Sequence, residues 1–377
     1  MAAVLLLAAC GCVLIFLHPY MIYPLSLRFF ALRPVRVDPA APLPPATLVF
    51  SAFNEKASLP AKIANLRAIR DRHPGIEFLA YSDCSTDETL PMLLAQADLL
   101  RVVPSTERTG KATGMRRMVE QARGEIMIFT DANVLLDPEA IAPLLRYFSD
   151  PEVGGVAGTL RYINEDAGAV AKVGGLYWRL EEAIKQRESA VGSIMGADGS
   201  IFATRRHLYP AVPPHLLDDM TVSMTVTLKG QRLIHATDVV AYEKNATESR
   251  DEFRRKRRIA CRAFNTHRYL WPSIRAAYGA GDLYKYVSHK LLRWFGLVPL
   301  IAGVILGLAG LVAAGQPWLA AAAFGLAALA LLLGRAGVPL LGSLYQILLS
   351  IVATLLGVVD ALRGRTYQIW TPAVSRN

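Results

Sequence analysis

Apolar residues fall in two long blocks at the ends of this chain and in a regular alternation between them. Ala2 to Leu17 carries no charge, and from Phe295 to Ala361 the only charged residues are Arg335 and Asp360. Runs of this length match the ~20 residues that a helix needs to cross a bilayer. Gly315-Gln316-Pro317 and Gly334-Arg335-Ala336-Gly337 divide the second block into three candidate spans. They are Phe295–Ala314, Trp318–Leu333 and Val338–Val359, the middle one short enough to be re-entrant or tilted. Leu7-Ala8-Ala9-Cys10 matches a lipoprotein cleavage box, but no basic segment precedes it and the apolar run continues to Leu17, which argues an uncleaved anchor helix.

The middle of the chain alternates short apolar runs with amphipathic ones. Leu48–Phe50, Glu77–Tyr81, Leu99–Val103 and Ile126–Thr130 predict strands. Between and after them a helix capped at Ser58, then Thr89–Ala97, Lys111–Ala122 and Pro138–Phe148, predict helices. This rhythm argues an α/β domain on a parallel sheet with helices on both faces. Beyond Gly154 the pattern loosens into a long helix near Val170–Ser189 and further short strands. The expected division is an anchor (1–32), a proline-rich linker (33–46), a globular domain (47–270), a juxtamembrane segment (271–294), membrane helices (295–361) and a tail (362–377).

Composition agrees with that mixture. Of 377 residues 53% are hydrophobic, yet the formal net charge is +10. Arg28, Arg33 and Arg36 follow the first span, and Lys285, Lys290 and Arg293 precede the second, so the positive-inside tendency places the globular domain in the cytosol of a multi-pass protein of the cell membrane. Three C-terminal spans would leave Arg363, Arg365 and Arg376 outside; either one candidate does not cross or the tail breaks the tendency. The four cysteines form no metal or disulfide spacing.

Candidate chemistry clusters at strand ends. Ser51-Ala52-Phe53-Asn54-Glu55 follows the first strand, and Ser82-Asp83-Cys84-Ser85-Thr86-Asp87-Glu88-Thr89 the second. Thr109-Gly110-Lys111-Ala112 opens a helix, where exposed backbone N–H groups favour an anion such as a diphosphate. Asp131-Ala132-Asn133 ends a strand with two hard oxygen donors one residue apart, suited to Mg2+ or Mn2+. In a doubly wound sheet such loops converge on one crevice. Asp218-Asp219 precedes an apolar helix, Met220–Leu228, and has the ordinary reading of acidic residues at a helix N-terminus. Arg254-Arg255-Lys256-Arg257-Arg258 invites nucleic acid as a partner, but beside membrane spans a helix on anionic lipid is the better reading.

Six segments in order resemble the inverting glycosyltransferases of family 2, which have the GT-A nucleotide-diphospho-sugar fold. They are Ala52–Glu55, Asp83–Thr89, Gly110–Gly114, Asp131–Asn133, Gly196–Ser200 and Asp218-Asp219. The resemblance implies a nucleoside diphosphate sugar donor, with uridine as the expected nucleoside, bound by Ala52, Asn54, Glu55, Asp83, Lys111 and Asp131. It further implies a divalent cation on Asp131 and Asn133, an acceptor loop with Asp198 and Gly199, and Asp219 as general base supported by Asp218. Arg255 and Arg258 stand where processive synthases of the family carry a diphosphate-clamping motif, but Ile259 replaces its tryptophan, which speaks against chain extension. Trp370-Thr371-Pro372 resembles a tail of some members.

The expected acceptor is a hydroxyl of a lipid-linked saccharide or cell-surface polysaccharide. Two alternatives remain: an enzyme that glycosylates a polyprenyl phosphate, and a non-catalytic subunit of a polysaccharide export complex.

Overall fold

The structure is a computed structural model and describes residues 1–164, 169–244 and 248–369. Trp370-Thr371-Pro372 lies outside the described residues. The anchor forms α1 (Ala2–Leu17), which passes through a π-helical turn at His18–Ile22 into the short α2 (Tyr23–Ser26). The linker then runs without regular structure to β1 (Ala46–Ala52). The expected alternation follows: α3 (Leu59–Arg72), β2 (Glu77–Asp83), α4 (Thr89–Leu94), β3 (Arg101–Ser105), α5 (Lys111–Gln121) and β4 (Ile126–Asp131). Next come the two-residue β5 (Leu135–Leu136), α6 (Ile141–Arg146) and β6 (Val153–Tyr162). The domain closes with α7 (Ala169–Ala190), β7 (Ile201–Arg205), α8 (Asp218–Leu228) and β8 (Arg232–Glu243).

Among the described residues one sheet carries eight strands in the order β3-β2-β1-β4-β7-β6-β8-β5. Its first four strands are parallel, as the helical crossovers require. The sheet as a whole is mixed, because β7 runs antiparallel to both β4 and β6. Alternate residues of each strand enter opposite cores. Leu48, Phe50, Phe78 and Ile128 pack with Leu59 and Leu66 of α3 on one face. Val49, Leu79, Met127 and Phe129 pack with Met115 and Met118 of α5 and Val222 and Val226 of α8 on the other.

Beyond the sheet, α9 (Ser249–Ala277) leads through α10 (Ala280–Tyr286), a second π-turn (Val287–Leu291) and α11 (Leu292–Trp294) to three apolar helices. These are α12 (Leu297–Ala313), α13 (Pro317–Arg335) and α14 (Leu341–Leu362). Among the described residues three stretches are long and apolar enough to cross a membrane, Ala2–Phe29, α13 and α14, or four if the bent pair Ala280–Trp294 and Leu297–Ala313 counts as one span. Gly303 faces Cys12 and Gly310 faces Leu6, so α12 and α1 run in opposite directions. The last helix behaves differently. Gln346 binds Ser249 (2.8 Å), Lys256 binds Ser350 (2.7 Å) and Arg257 binds Asp360 (2.6 Å), so α14 runs alongside charged α9 in the same direction. Asn265 then takes the Arg365 carbonyl at 3.0 Å. A third core, with Met220, Met224, Phe264, Trp294, Val358 and Ala361, ties α8, α9 and α14 together.

Candidate active site

The cleft opens at the carboxyl ends of β1, β2 and β4. Two loops there are stitched to each other: Asn54, at φ +53°, accepts the Thr86 N–H at 2.9 Å, and the Thr89 hydroxyl accepts the Glu55 N–H at 2.8 Å. The Glu55 carboxylate is buried and accepts from Ser58 at 3.0 Å. Asp83, 2% exposed at the end of β2, receives the N–H groups of Thr109 (2.8 Å) and Gly110 (3.1 Å) and the Arg108 Nε (3.2 Å). Its carboxylate therefore fixes the turn that presents Lys111, a positioning task that its sequence context did not distinguish from contact with a base. Arg108 lies over the ring of Phe53 on the same rim.

Gly110 takes φ +86°, a value that suits glycine, and releases α5 with Lys111 at its first residue. The Lys111 ammonium lies 2.6 Å from Asp131 and 3.7 Å from Asp218. Burial works against its charge, but Asp131, Asp218 and Asp219 outweigh burial and hold its pKa above the ordinary lysine range. Asp131 ends β4 with 35% of its side chain exposed to the cleft. Asn133 is turned toward Glu243, to which its amide donates at 3.1 Å.

Gly199 shows how closely these groups converge. A Cβ placed on it would lie 3.0 Å from Lys111 Nζ, 3.3 Å from Asp219 Oδ2 and 3.8 Å from Asp131 Oδ2. Lysine, two aspartates and a bare backbone thus share one point, although they come from β4, α5, the loop before β7 and the start of α8. Asp218 and Asp219 form the first turn of α8, with Asp219 accepting the Met220 N–H at 2.6 Å. Burial first and the neighbouring Asp218 second push the Asp219 carboxyl up to about 7, with Lys111 pulling the other way. That value suits a group that must take a proton near neutral pH. Asp198 is instead occupied by Lys185, 2.9 Å away.

From the basic helix, Arg255 is engaged by Glu252 at 2.8 Å, and Arg258 lies one turn further along α9. The side chain that reaches the acidic pair is Arg262, 3.8 Å from Asp218 and bonded to the Leu216 carbonyl. Sequence reasoning also passed over Lys62. It is fully buried and donates to the Val134 carbonyl at 2.6 Å, bracing the turn after Asp131-Ala132-Asn133. A lysine in the stripe Leu59, Lys62, Leu66, Ile69, otherwise the apolar face of α3, was the available signal.

Residues 47–211 match the family model described as glycosyl transferase family 2. Over that segment the chain is similar to the family 2 glycosyltransferases. Among solved structures the chain is similar to the mannosyltransferase PcManGT from Pyrobaculum calidifontis, determined in complex with GDP-Man and Mn2+. That match covers 96% of this chain and 99% of the other, at 22% identity and a TM-score of 0.73. A likeness of that degree establishes the GT-A fold. A further match, GalNAc-T7 with UDP, GalNAc and Mn2+, is 16% identical with a TM-score of 0.42 and covers 55% of this chain and 45% of that chain. No curated protein matches the chain significantly.

Proposed function

We propose that the chain is a membrane-anchored, inverting glycosyltransferase that moves a sugar from a nucleoside diphosphate to an acceptor hydroxyl. The observation that carries this reading is the meeting of Lys111, Asp131 and Asp219 at Gly199. The acceptor oxygen attacks the anomeric carbon and gives its proton to the Asp219 carboxylate. The bond from that carbon to the diphosphate breaks on the opposite face, and its electron pair leaves with the nucleoside diphosphate. Single displacement of this kind inverts the anomeric centre. Lys111 meets the charge that develops on the leaving diphosphate, the largest contribution expected in such a site. Asp83 holds the Gly110 turn that aims Lys111. Arg262, with Lys111, neutralises Asp218 and leaves Asp219 to act as the base.

A divalent ion fits this cleft. Among the described residues no group of three or more His, Cys, Asp or Glu side chains could hold a metal alone. Mg2+ and Mn2+ sites for nucleotides need only one or two protein carboxylates, with phosphate oxygens completing the shell. Asp131 would hold the ion, with Asn133 beside it, and the bound metal would neutralise the departing diphosphate. The Mn2+ and GDP-Man of the Pyrobaculum mannosyltransferase support a nucleotide-sugar donor and a divalent cofactor.

Packing supports one membrane arrangement. α1, α12 and α13 are read as spans, with the catalytic domain on the cytosolic face. α14 is read as lying along that face, because its polar side chains pair with α9 and the segment after it returns to Asn265. Arg363 and Arg365 then stay on the cytosolic side, which removes the conflict with the positive-inside tendency.

The test is sugar release and transfer by the purified full-length chain with Mn2+ and a panel of UDP- and GDP-sugars. Donor turnover with an inverted product, abolished in Lys111→Gln and Asp219→Asn, is expected. Unchanged transfer by Asp219→Asn would sink the assignment.

A further inference from the structure

Asn133 stands beside Asp131, and the group it touches decides which of its atoms can meet a cation. Its Nδ2 donates to Glu243 Oε1 at 3.1 Å. A carboxylate only accepts, so the amide must present its nitrogen to Glu243, which leaves its carbonyl Oδ1 for another ligand. Among the described residues no hydrogen bond occupies that oxygen. Mg2+ and Mn2+ bind through oxygen, and the NH2 end of the same amide would repel either ion.

The backbone fixes both ends of this bond. Glu243 is the last residue of β8 and is 5% exposed. On one side of it β5 pairs with β8, Leu135 lying opposite Tyr242. On the other, Tyr162 of β6 lies opposite Glu243, and the Ile163 N–H donates to the Glu243 carbonyl at 3.1 Å. The turn that carries Asn133 is set as firmly. The Val134 N–H donates to the Asp131 carbonyl at 3.3 Å, and Lys62 donates to the Val134 carbonyl at 2.6 Å. Rotation of the side chain is therefore the freedom left to Asn133, and Glu243 removes it. The pair also accounts for an amide at this position. An aspartate at 133 would set two carboxylates 3.1 Å apart, where like charges oppose each other. Glu243 supplies next to the turn the negative charge that such an aspartate would bring.

We propose that Glu243 is a positioning residue for the cation, turning Asn133 so that Oδ1 joins Asp131 in facing the ion. The inference rests on the reading of Asp131 and Asn133 as the cation site and adds the residue that orients it. Mn2+ uptake by the purified full-length chain, read from the EPR signal of free Mn2+ with UDP or GDP present, tests it alongside melting in EDTA. Glu243→Ala is expected to take up Mn2+ about tenfold more weakly, as when a group that orients a metal ligand is removed. Asn133→Asp alone should melt below the wild type in EDTA, because its carboxylate faces Glu243. Asn133→Asp combined with Glu243→Gln rebuilds the hydrogen bond with donor and acceptor exchanged. That paired variant should recover the melting point and bind Mn2+ at least as tightly as the wild type, and it carries the test should Glu243→Ala fail to fold.

A merely structural Glu243 would lower the melting point of Glu243→Ala and leave its Mn2+ affinity at the wild-type value, which overturns the proposal. A paired variant that melts no higher than Asn133→Asp alone, or binds Mn2+ tenfold more weakly than the wild type, overturns it as well. Failure of the underlying reading looks different. A wild-type chain that takes up no Mn2+ with either nucleotide, or an Asp131→Asn variant that takes it up equally well, overturns the cation site itself and this inference with it.

Discussion

Asp219→Asn should raise stability while abolishing transfer, and the gain should depend on pH. The Asp219 carboxyl sits near pH 7 against an ordinary 3.8, because the half-buried charge is poorly solvated and faces Asp218. A rise of about three units corresponds to about 4 kcal/mol. Solvent that still reaches the group reduces the realised part to about 2 kcal/mol. The sign follows from linkage. The folded state holds this proton more tightly than the unfolded state, so the penalty is absent below about pH 4, grows between about pH 4 and 7 and is constant above. The amide carries no charge and escapes it. Thermal unfolding of the detergent-solubilised chain in EDTA should therefore show matching melting points near pH 4 and a variant about 5 °C higher near pH 8. Transfer should fall at least ~100-fold, the usual contribution of a general base. A stabilisation equal at both pH values, or none at all, would show that the carboxylate is not held protonated by its surroundings, and the argument for it as the base would fail.

Gly199→Ala should lower kcat about 100-fold with an unchanged melting point, because its methyl would stand 3.0 Å from Lys111 Nζ and displace it. Asp83→Asn should weaken nucleotide binding about tenfold by calorimetry, since an amide cannot accept from Thr109 and Gly110 as the carboxylate does, a loss of about 1–3 kcal/mol. Removing divalent ions with EDTA should stop transfer, Mn2+ or Mg2+ should restore it, and Asp131→Asn should raise the metal concentration needed. Arg363→Cys should react with a membrane-impermeant maleimide in inside-out vesicles and stay protected in right-side-out ones; the reverse pattern would mean that α14 crosses the bilayer.

The parallel half of the sheet and its loops were legible because each strand is a short apolar run that ends on a polar cluster. Thr47 to Asn133 shows this four times. Asp131, Lys111, Asp218 and Asp219 could be picked out as a set from their types and order, and the structure brings them close together. The three-dimensional partners were not legible. Nothing local to Asp83 shows that Thr109 and Gly110 will fold onto it, and nothing near Arg262 shows that it outreaches Arg255 toward the acidic pair. Strands β6 and β8 blurred in the sequence because both are buried nearly throughout and lack the alternation that marks a half-exposed strand. α14 is long and apolar enough to cross a membrane, yet it also pairs with charged α9. Gln346, Ser350 and Asp360 fall on one side of it, and their purpose emerges only once α9 lies alongside.

On the proposed reading, that pairing of α9 with α14 would link catalysis to the lipid film. Arg262 belongs to α9, and α9 is held along its length by a helix whose other side is apolar. Lateral pressure or detergent that shifts α14 would move the guanidinium relative to Asp218 and alter the charge balance around the base. Turnover should therefore track the composition and tension of the surrounding bilayer even when donor and acceptor are both saturating.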